Sequence, residues 1–342
     1  MTPVRLSIGI PTYNFGAFIG DTLASIVPQL EPGVEVVILD GGSTDNTAEA
    51  VRPFVDTHPQ ITYYRQDRRG GIDRDMARTA QLARGEYVWL FSSDDLMKPG
   101  ALRRVLAEIE SGLDVYLCGL TLCDDAMKPL HDHTVSEASW GSTFQLREVA
   151  DRARYFALAQ TTTAVFSFMG SMIFRRARWN EQTLDEAYVG SCWAHVVRFL
   201  RMIPNGLHLK FLGEPLQWKR GDNDSFMEKG IVHRYAIAID GYHRIAADVF
   251  GASSREAWHM RRVIANEYPF TVMFFTRVHC RDQGRRADIP ELDRLVRKAW
   301  SDPTLRNLRW KIGYWPVFDS LYELVRRTYK AMRRRGWVPD HR

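Results

Sequence analysis

Two adjacent carboxylates, Asp94 and Asp95, follow an apolar run of strand length and are well placed for chemistry. The run from Tyr87 to Phe91 has no polar break, which is typical of a strand buried on both faces of a parallel sheet. Neighbouring carboxylates repel each other, so a cation or a network of hydrogen-bond donors is needed to hold them. The alternative is a solvated turn before the helix that is expected after Pro99.

Polar residues also follow three earlier strands that the sequence predicts. Strands at Leu6 to Ile10, Val34 to Leu39 and Ile61 to Arg65 alternate with helical segments. This alternation indicates a mostly parallel sheet with right-handed crossovers. The polar residues after the three strands are Thr12, Asp40 and Asp67. Because ligands of open α/β sheets bind at the carboxyl ends of the strands, we expect these side chains to line one crevice with the two carboxylates.

The sequence lacks two glycine-rich motifs that bind phosphate. A dinucleotide-binding Rossmann domain carries G-x-G-x-x-G directly after its first strand, but that position here reads Pro11-Thr-Tyr-Asn-Phe-Gly16. The P-loop pattern G-x-x-x-x-G-K-[ST] is also absent. We therefore do not expect a glycine cradle for phosphate.

The composition is that of a globular protein, with 45% hydrophobic and 25% charged residues in a chain of 342. The four cysteines form no C-x-x-C pair, which argues against a zinc site or a disulfide scaffold and is typical of a reducing cytosol. No charged-then-apolar leader is visible, and no run approaches the ~18 apolar residues of a spanning helix. We expect a cytoplasmic protein that does not cross a membrane.

The positive charge is concentrated at the C-terminus. The net charge is +5, but residues 303–342 carry 10 Lys and Arg against 3 Asp and Glu, a net of +7. An amphipathic helix is predicted from Val317 to about Arg335, with tryptophans on either side at Trp310, Trp315 and Trp337. Its apolar face consists of Phe318, Leu321, Tyr322, Val325, Tyr329 and Met332. This pattern predicts peripheral binding to an anionic membrane surface. A helix docked on the protein's own core is the alternative, and no recognised fold supports nucleic-acid binding.

Three motifs in this order resemble those of the family-2 nucleotide-sugar glycosyltransferases of the A-type fold. They are Pro11-Thr-Tyr-Asn14, Asp40-Gly-Gly-Ser-Thr-Asp45 and Ser92-Ser-Asp-Asp95. The resemblance implies an α/β fold with a mostly parallel, Rossmann-like sheet, followed by a helical C-terminal region. We expect a catalytic domain at residues 1–225, with a nucleotide-sugar half at 1–125 and an acceptor half at 126–225. The helical region with its basic tail then occupies residues 226–342.

The second half of the sequence predicts one more strand and several helices. The strand, Phe166 to Arg176, returns to the sheet. The helices before the tail are expected at Ile231 to Phe250, Glu256 to Cys280 and Pro290 to Trp300.

The resemblance also implies which residues bind the nucleotide sugar. They are Pro11, Thr12, Tyr13, Asn14, Asp40, Gly41, Asp73, Arg74, Ser93, Asp94 and Arg220. Asp40 would lie near the base, unless it only forms the turn before two glycines. Arg74 would lie near the sugar or diphosphate, unless it is a solvated helix charge, and Asp73 or Asp75 would bind sugar hydroxyls. In a later polar loop, Gln217 to Asp224, either Lys219 or Arg220 would clamp the leaving diphosphate, unless the loop is a solvated basic turn.

A divalent metal, Mn²⁺ or Mg²⁺, is implied at Asp94 and Asp95, which correspond to the end of the family's D-x-D element. A hard cation takes carboxylate and phosphate oxygens together and neutralises the departing diphosphate. The first aspartate of that element is replaced here by Ser92, so the anchor has one negative charge fewer.

The general base is left open between His195, Asp185 and Glu186. In the family it often belongs to a Glu-Asp pair at the start of a helix, where this sequence reads Gly190-Ser-Cys-Trp193. The pattern G-S-x-W-x-H is similar to that of abequosyltransferase-like members, which add a deoxysugar to a lipid-linked O-antigen unit. An imidazole has the ordinary pKa nearest neutral pH, although a histidine at a helix start is often a structural donor.

The resemblance therefore implies an inverting, metal-dependent transfer of a sugar from a nucleoside diphosphate to a hydroxyl acceptor. The acceptor would be a polyprenyl-linked saccharide in surface polysaccharide or O-antigen synthesis, reached at the inner face of the cytoplasmic membrane. One alternative is a nucleotide-sugar-binding or membrane-scaffold protein without catalysis, suggested by Ser92 and the missing Glu-Asp pair. The other is a nucleotidyltransferase, although its glycine-rich and basic N-terminal loop is absent.

Overall fold

The structure is a computed structural model, and it describes residues 3–221, 223, 225–315 and 318. The ten strands of this part are β1 (Leu6–Thr12), β2 (Val34–Asp40), β3 (Ile61–Arg65), β4 (Tyr87–Leu90), β5 (Leu96–Met97), β6 (Val115–Cys123), β7 (Pro129–Asp132), β8 (Thr143–Gln145), β9 (Met172–Arg175) and β10 (His208–Lys219). Its twelve α-helices are α1 (Ile19–Ile26), α2 (Thr47–Thr57), α3 (Ile72–Leu82), α4 (Ala101–Ile109), α5 (Val149–Leu158), α6 (Arg176–Asn180), α7 (Ala194–Met202), α8 (Ile231–Phe250), α9 (Arg255–Glu267), α10 (Phe270–Asp282), α11 (Ile289–Ala299) and α12 (Leu305–Gly313).

One mixed sheet lies at the centre, with its strands in the order β3-β2-β1-β4-β9-β6-β10-β5. β1 to β4 are parallel because a helix joins each strand to the next, and β6 and β10 are parallel to each other. β9 runs antiparallel to both of its neighbours, β4 and β6. The short strands β5, β7 and β8 are antiparallel to the strands they pair with. The expected α/β class, with a helical region after the sheet, is confirmed.

Complete burial explains why β4 has no polar break, and the polar Ser7 of β1 and Glu35 of β2 are hydrogen-bonded to each other at 2.6 Å. Every residue of β1, β2 and β4 is buried, as expected for strands covered on both faces. The buried apolar side chains form two clusters, one around β1, β2 and α1 and one that extends from β4 to α12. The second cluster joins Leu90 and Phe174 of the sheet to Tyr242 and Trp300 of the C-terminal helices. The helical region therefore packs on the sheet and on residues 126–225 through a shared apolar core.

The strand expected from Phe166 to Arg176 is wrong in its extent. Only Met172–Arg175 is a strand, and it is preceded by 3₁₀ turns at Thr162–Val165 and Met169–Ser171. Phe166 ends the first turn in the left-handed region, at a φ of 68°. An apolar run does not distinguish a strand from a buried turn, because both bury every side chain.

The single helix expected from Glu256 to Cys280 is also wrong. It is divided into α9 and α10, and the break falls at Tyr268 and Pro269. Proline has no N–H to donate and disfavours helical geometry in the residue before it. Tyr268 accordingly has φ −115° and ψ 61°.

The tail helix expected from Val317 to about Arg335 lies outside the described residues, apart from Phe318. Among the described helices, none has both the length and the hydropathy that a bilayer-spanning segment needs.

Glu267, at the end of α9, connects the helical region to the 3₁₀ turn at Thr162–Val165. Its carboxylate accepts hydrogen bonds from the N–H of Thr162 at 2.7 Å and from the Thr162 hydroxyl at 2.9 Å. Burial raises the pKa of Glu267 to about 7, although the bonds from Thr162 oppose the shift.

We predict that Glu267→Gln stabilises the protein at pH 8 relative to the wild type but not at pH 5. Between an ordinary pKa of 4.5 and about 7, the folded state binds more protons than the unfolded state, so wild-type stability falls as the pH rises through that window. Glutamine keeps an acceptor oxygen for Thr162 and does not titrate. Denaturant unfolding at the two pH values measures the effect, with the exposed Glu137→Gln as control. Equal differences from the wild type at pH 5 and pH 8 would contradict the prediction.

Candidate active site

The carboxyl ends of β1, β2 and β4 lie side by side at one edge of the sheet. The register of β1 and β2 pairs Thr12 with Asp40, and the Gly41 N–H donates to the Thr12 carbonyl oxygen at 2.8 Å. On the other side of β1, the Phe91 N–H donates to the Gly9 carbonyl oxygen at 2.8 Å. Since β4 ends beside β1, the two carboxylates that follow it lie at the edge expected from the β-α alternation.

Asp95 is a buried carboxylate with one oxygen unused. It is 2% exposed, and its Oδ1 accepts a hydrogen bond from the backbone N–H of Arg220 at 2.9 Å. Its Oδ2 is buried and has no hydrogen-bond partner among the described residues. Burial raises the pKa of Asp95 to about 8, and the charge of Asp94 contributes to the shift. An unpaired buried carboxylate oxygen is costly unless something outside the chain binds it.

Asp94, in contrast, is held by hydrogen-bond donors. Its Oδ1 accepts from the hydroxyl of Ser92, and its Oδ2 accepts from the Asn223 side-chain amide at 3.0 Å. The Arg220 guanidinium donates to the Asp94 carbonyl oxygen at 3.1 Å and to the Asp125 carbonyl oxygen at 2.7 Å. Ser92, the residue that departs from the family pattern, thus supplies a donor where an aspartate would supply a second acceptor.

Arg220 directly follows β10 and contacts several residues at this edge of the sheet. It is buried, its guanidinium lies 5.0 Å from the ring centre of Phe18, and it approaches the Asp21 carboxylate at 3.8 Å. The expected alternative of a solvated basic turn is therefore wrong for Arg220. Ser93 is buried as well.

Asp40 is completely buried, and both of its oxygens have partners. The Ser43 N–H donates to Oδ1 at 2.7 Å, and the Tyr63 hydroxyl donates to Oδ2. The Arg65 guanidinium is 3.9 Å from the same oxygen. Burial and the neighbouring carboxylate raise the pKa of Tyr63 above its ordinary value, so its proton stays in this bond. Asp40 stabilises the turn at Gly41, as the turn-forming alternative expected.

The loop after β1 is joined to the loop after β2. Asn14 has a φ of 57°, its N–H donates to the Ser43 hydroxyl at 2.8 Å, and its side-chain oxygen accepts from the Thr44 N–H at 2.8 Å. The guanidinium of Arg69 lies 4.2 Å from the ring centre of Tyr13. The Thr12 hydroxyl is buried without a hydrogen-bond partner among the described residues. Thr12 and Asp95 therefore both leave a polar atom unused at this edge.

Asp75 is a second buried carboxylate close to Asp40. The Gln66 side-chain amide donates to Asp75 at 2.6 Å. Burial raises its pKa, and the charge of Asp40 adds to the shift while Arg69 opposes it. A Cβ at Gly41 would come within 2.8 Å of one Asp75 oxygen, and a Cβ at Gly70 within 2.6 Å of the other. Glycine at both positions allows the carboxylate to approach the backbone.

Asp73, which with Asp75 was a candidate for binding sugar hydroxyls, accepts hydrogen bonds from three backbone N–H groups. Those of Gly190 and Cys192 donate to Oδ2 at 2.8 and 3.0 Å, and that of Ala194 donates to Oδ1 at 3.0 Å. The side chain is 3% exposed. Asp73 of α3 therefore serves as the acceptor for the free N–H groups at the start of α7.

His195 follows directly in α7 and is buried. Its Nε2 lies 3.3 Å from the carbonyl oxygen of Ser167, and its Nδ1 has no partner among the described residues. Burial lowers the pKa of His195, although the charge of Asp73 opposes the shift. An imidazole with a lowered pKa is neutral at pH 7 and retains a nitrogen that can accept a proton.

The other two base candidates have partners of their own. Asp185 accepts from the Ala187 N–H at 2.9 Å and pairs with Arg201 at 2.8 Å. Glu186 is exposed and forms a bidentate pair with Arg74, at 2.9 and 2.6 Å. Both side chains of this pair are exposed, and the expected role of Arg74 near the sugar or diphosphate stays a prediction.

Four contributors to the site were missed in the sequence: Tyr63, Gln66, Arg69 and Asn223. Tyr63 and Gln66 lie in or just after β3, the strand next to Asp40. Their position at the edge of the sheet could have identified them. Asn223 stands in the polar loop after Arg220, but only the fold brings it to Asp94.

Among the described residues, no group of three or more His, Cys, Asp or Glu side chains is arranged to hold a metal ion. The unused oxygen of Asp95 beside Asp94 is nevertheless the type of donor that a hard cation binds.

Known proteins match this chain both by family and over most of its length. The family model "Glycosyl transferase family 2" matches residues 7–182. The abequosyltransferase RfbV of Salmonella typhimurium is 30% identical over 275 residues, which cover 78% of this chain and 81% of that protein.

Two solved structures share the fold. TarS 1–349 of S. aureus in complex with UDP-GlcNAc has a TM-score of 0.57 at 19% identity, covering 86% of this chain and 81% of that chain. The mannosyltransferase PcManGT from Pyrobaculum calidifontis, in complex with GDP-Man and Mn²⁺, has a TM-score of 0.50 at 15% identity and covers 93% of this chain and 82% of that chain.

We predict that Asp73→Asn lowers the free energy of unfolding by about 1–3 kcal/mol, the usual cost of leaving buried donors without a partner. The substitution keeps the size of the side chain but replaces one acceptor oxygen by an amide nitrogen, which cannot accept from the N–H groups that precede α7. Denaturant unfolding measures the loss, and the exposed Asp56→Asn is the matched control. Equal stability of the two variants would show that Asp73 does not hold α7.

Proposed function

The chain belongs to glycosyl transferase family 2 and is a glycosyltransferase, and from this we propose that it transfers one sugar from a nucleoside-diphosphate sugar to a hydroxyl group of a saccharide acceptor, with inversion. The observation that carries the proposal is the unused, buried oxygen of Asp95 beside Asp94, where β4 ends next to β1. The two alternatives considered from the sequence, a scaffold without catalysis and a nucleotidyltransferase, are not the activity of this family.

The nucleoside would bind at the loops after β1 and β2. Tyr13 offers an aromatic ring, and the unused Thr12 hydroxyl offers a polar atom at the same edge. Pro11, Asn14 and Gly41 shape these loops. Asp40 stabilises them by accepting hydrogen bonds from Ser43 and Tyr63. The diphosphate would lie towards Ser93, Asp94 and Arg220. We retain residues 1–225 as the catalytic unit, with 1–125 as its nucleotide-sugar half and 126–225 as its acceptor half, and 226–342 as the helical region.

Asp94 and Asp95 would hold a divalent metal, Mn²⁺ or Mg²⁺, together with oxygens of the diphosphate. Their carboxylates fit such an ion because hard cations prefer oxygen ligands, and one oxygen of Asp95 is free to bind. The metal would supply positive charge against the negative charge of the departing diphosphate. The fold neighbour from P. calidifontis was solved with GDP-Man and Mn²⁺.

The displacement itself needs a base for the acceptor. The acceptor oxygen forms a bond to the anomeric carbon while the bond from that carbon to the diphosphate oxygen breaks, and the acceptor proton passes to the base. We assign His195 to this role because its Nδ1 is unused and burial lowers its pKa, so it is neutral near pH 7. Glu186 is the second candidate, and it would first have to leave Arg74. Asp185 is the third, and it is engaged with Arg201 and Ala187.

The acceptor would be a polyprenyl-linked saccharide of a surface polysaccharide or O-antigen. The proposal is supported by the similarity to an abequosyltransferase over 78% of this chain. The protein would act in the cytoplasm at the inner face of the cytoplasmic membrane, attached through its basic C-terminal segment. The net charge of +7 over residues 303–342 favours an anionic lipid surface.

We predict that Asp94→Asn and Asp95→Asn each reduce turnover at least about 100-fold, as expected when charge stabilisation of a leaving group is removed. Release of nucleoside diphosphate from a panel of UDP-, GDP-, CDP- and dTDP-sugars measures turnover, and EDTA should suppress it in the wild type. The exposed Asp125→Asn is the control. Full turnover of both variants in the presence of EDTA would rule out the metal.

We predict that His195→Gln costs at least about 100-fold in kcat, within the range of a general base, and leaves the KM for the nucleotide sugar nearly unchanged. The base must be unprotonated, so wild-type turnover should hold down to pH 6.5, the ordinary histidine pKa, and fall only below it. Glu186→Gln and Asp185→Asn are the matched comparisons. If one of these shows the kcat loss while His195→Gln does not, the role of base belongs to that residue.

A further inference from the structure

Helix α12 carries a line of exposed apolar side chains on its outer side. Leu305, Leu308 and Ile312, with Trp315 just after the helix, are 64%, 55%, 50% and 64% exposed. Their steps of three and four residues place them on one helical face. We call these four residues the α12 stripe.

The other side of α12 packs on the protein. The indole of Trp310 lies 5.4 Å from that of Trp300, and Gly313 lies against the Phe270 ring. Asn307 is buried and donates from its side chain to the Asp302 carbonyl oxygen at 3.0 Å. The helix is thus anchored on its inner side, and the α12 stripe faces away from that side. Trp310 and Trp315 were both expected to flank the tail helix. In the structure Trp310 packs on Trp300, whereas Trp315 is exposed.

The charged residues of α12 itself are all basic. Helix α12 contains Arg306, Arg309 and Lys311 and no acidic residue. Arg306 bonds to Asn266 and lies over Trp310, whereas Arg309 and Lys311 are exposed. In the sequence, apolar residues continue after the stripe at steps of three or four, at Phe318, Tyr322, Val325, Tyr329 and Met332.

We propose that the α12 stripe is a docking surface for an anionic lipid bilayer, with the helix lying in the plane of the interface. Leucine and isoleucine enter the boundary between headgroups and acyl chains, Trp315 sits at headgroup level, and Arg309 and Lys311 meet anionic headgroups. The inference deepens the proposed function, on which it rests for a reason to be at a membrane. It goes beyond the proposed function because it names a folded helix, α12, as the element that first contacts the membrane.

A second copy of this chain is the rival occupant, because an exposed apolar line on a helix is also the pattern of a coiled-coil seam. Charge decides against it. Two copies paired through this face would bring together two α12 helices that each carry three basic residues and no acidic one, so neither copy offers the opposite charges that such seams use. The same charge is complementary to an anionic surface.

The test is flotation of the full-length protein with vesicles of phosphatidylcholine containing about one-third phosphatidylglycerol, and with phosphatidylcholine alone, at low and high salt. The double variant Leu308→Glu/Ile312→Glu should reduce binding to the anionic vesicles at least about tenfold, since it places two charges at the lipid contact. Val149→Glu is the matched control, because Val149 is also an exposed apolar residue, at the start of α5. The control should float like the wild type.

Two results would overturn the proposal. One is flotation of the double variant equal to that of the wild type, since another segment would then make the contact. The other is a dimer in lipid-free sedimentation that dissociates in the double variant, since the face would then belong to a second copy. Release of nucleoside diphosphate is measured on the same samples and should be equal in all three proteins. Absent release in a wild type that floats as expected would overturn the proposed function and leave the docking surface intact.

Discussion

Two adjacent carboxylates at the end of a fully buried strand are the constraint on which the rest of this structure depends. β4 is covered on both faces, so Asp95 emerges into a site where its charge is poorly solvated. The fold compensates in part through the backbone N–H of Arg220, which β10 delivers from 125 residues further along the chain. Asp94 is balanced by Ser92 and Asn223. One oxygen of Asp95 has no hydrogen-bond partner among the described residues, and a cation bound together with the diphosphate would neutralise its charge.

Other buried carboxylates around the crevice are also stabilised by hydrogen-bond donors. Asp40, Asp73 and Asp75 are all buried, and the backbone N–H groups, hydroxyls or amides that they accept from belong to neighbouring loops. Each carboxylate therefore fixes the path of a loop that the sheet alone would not determine. Asp40 and either Asp73 or Asp75 were expected to touch substrate, and in this structure all three stabilise the loops around the crevice. At this edge of the sheet, a residue that shapes a loop can therefore also be close enough to bind substrate.

Much of the fold of residues 1–125 could be predicted from the sequence because its signals are local. Strict alternation of apolar runs and helical segments gave β1 to β4 nearly to the residue, and the polar residues after them marked the edge. The run at Phe166 to Arg176 failed because burial alone does not distinguish a strand from 3₁₀ turns. The segment at 121–165 carries β7, β8 and α5 without a strong periodic pattern. The partners of Asp73 and Arg74, and Asn223 as a partner of Asp94, could not have been predicted, since each lies more than 100 residues away in the chain.

The hydrogen bonds of Asp73 have a consequence for the order in which this chain acquires its structure. The acceptor lies in α3, while the three donors lie 117 to 121 residues later. During synthesis the parallel strands can pair while this carboxylate is still hydrated, because the segment before α7 does not yet exist. Closing so long a loop costs conformational entropy before any bond repays it. The contacts of Asp73 therefore form only after residues 190–194 have been synthesised, and protection of the amide protons of Gly190, Cys192 and Ala194 would report when α3 and the start of α7 have come together.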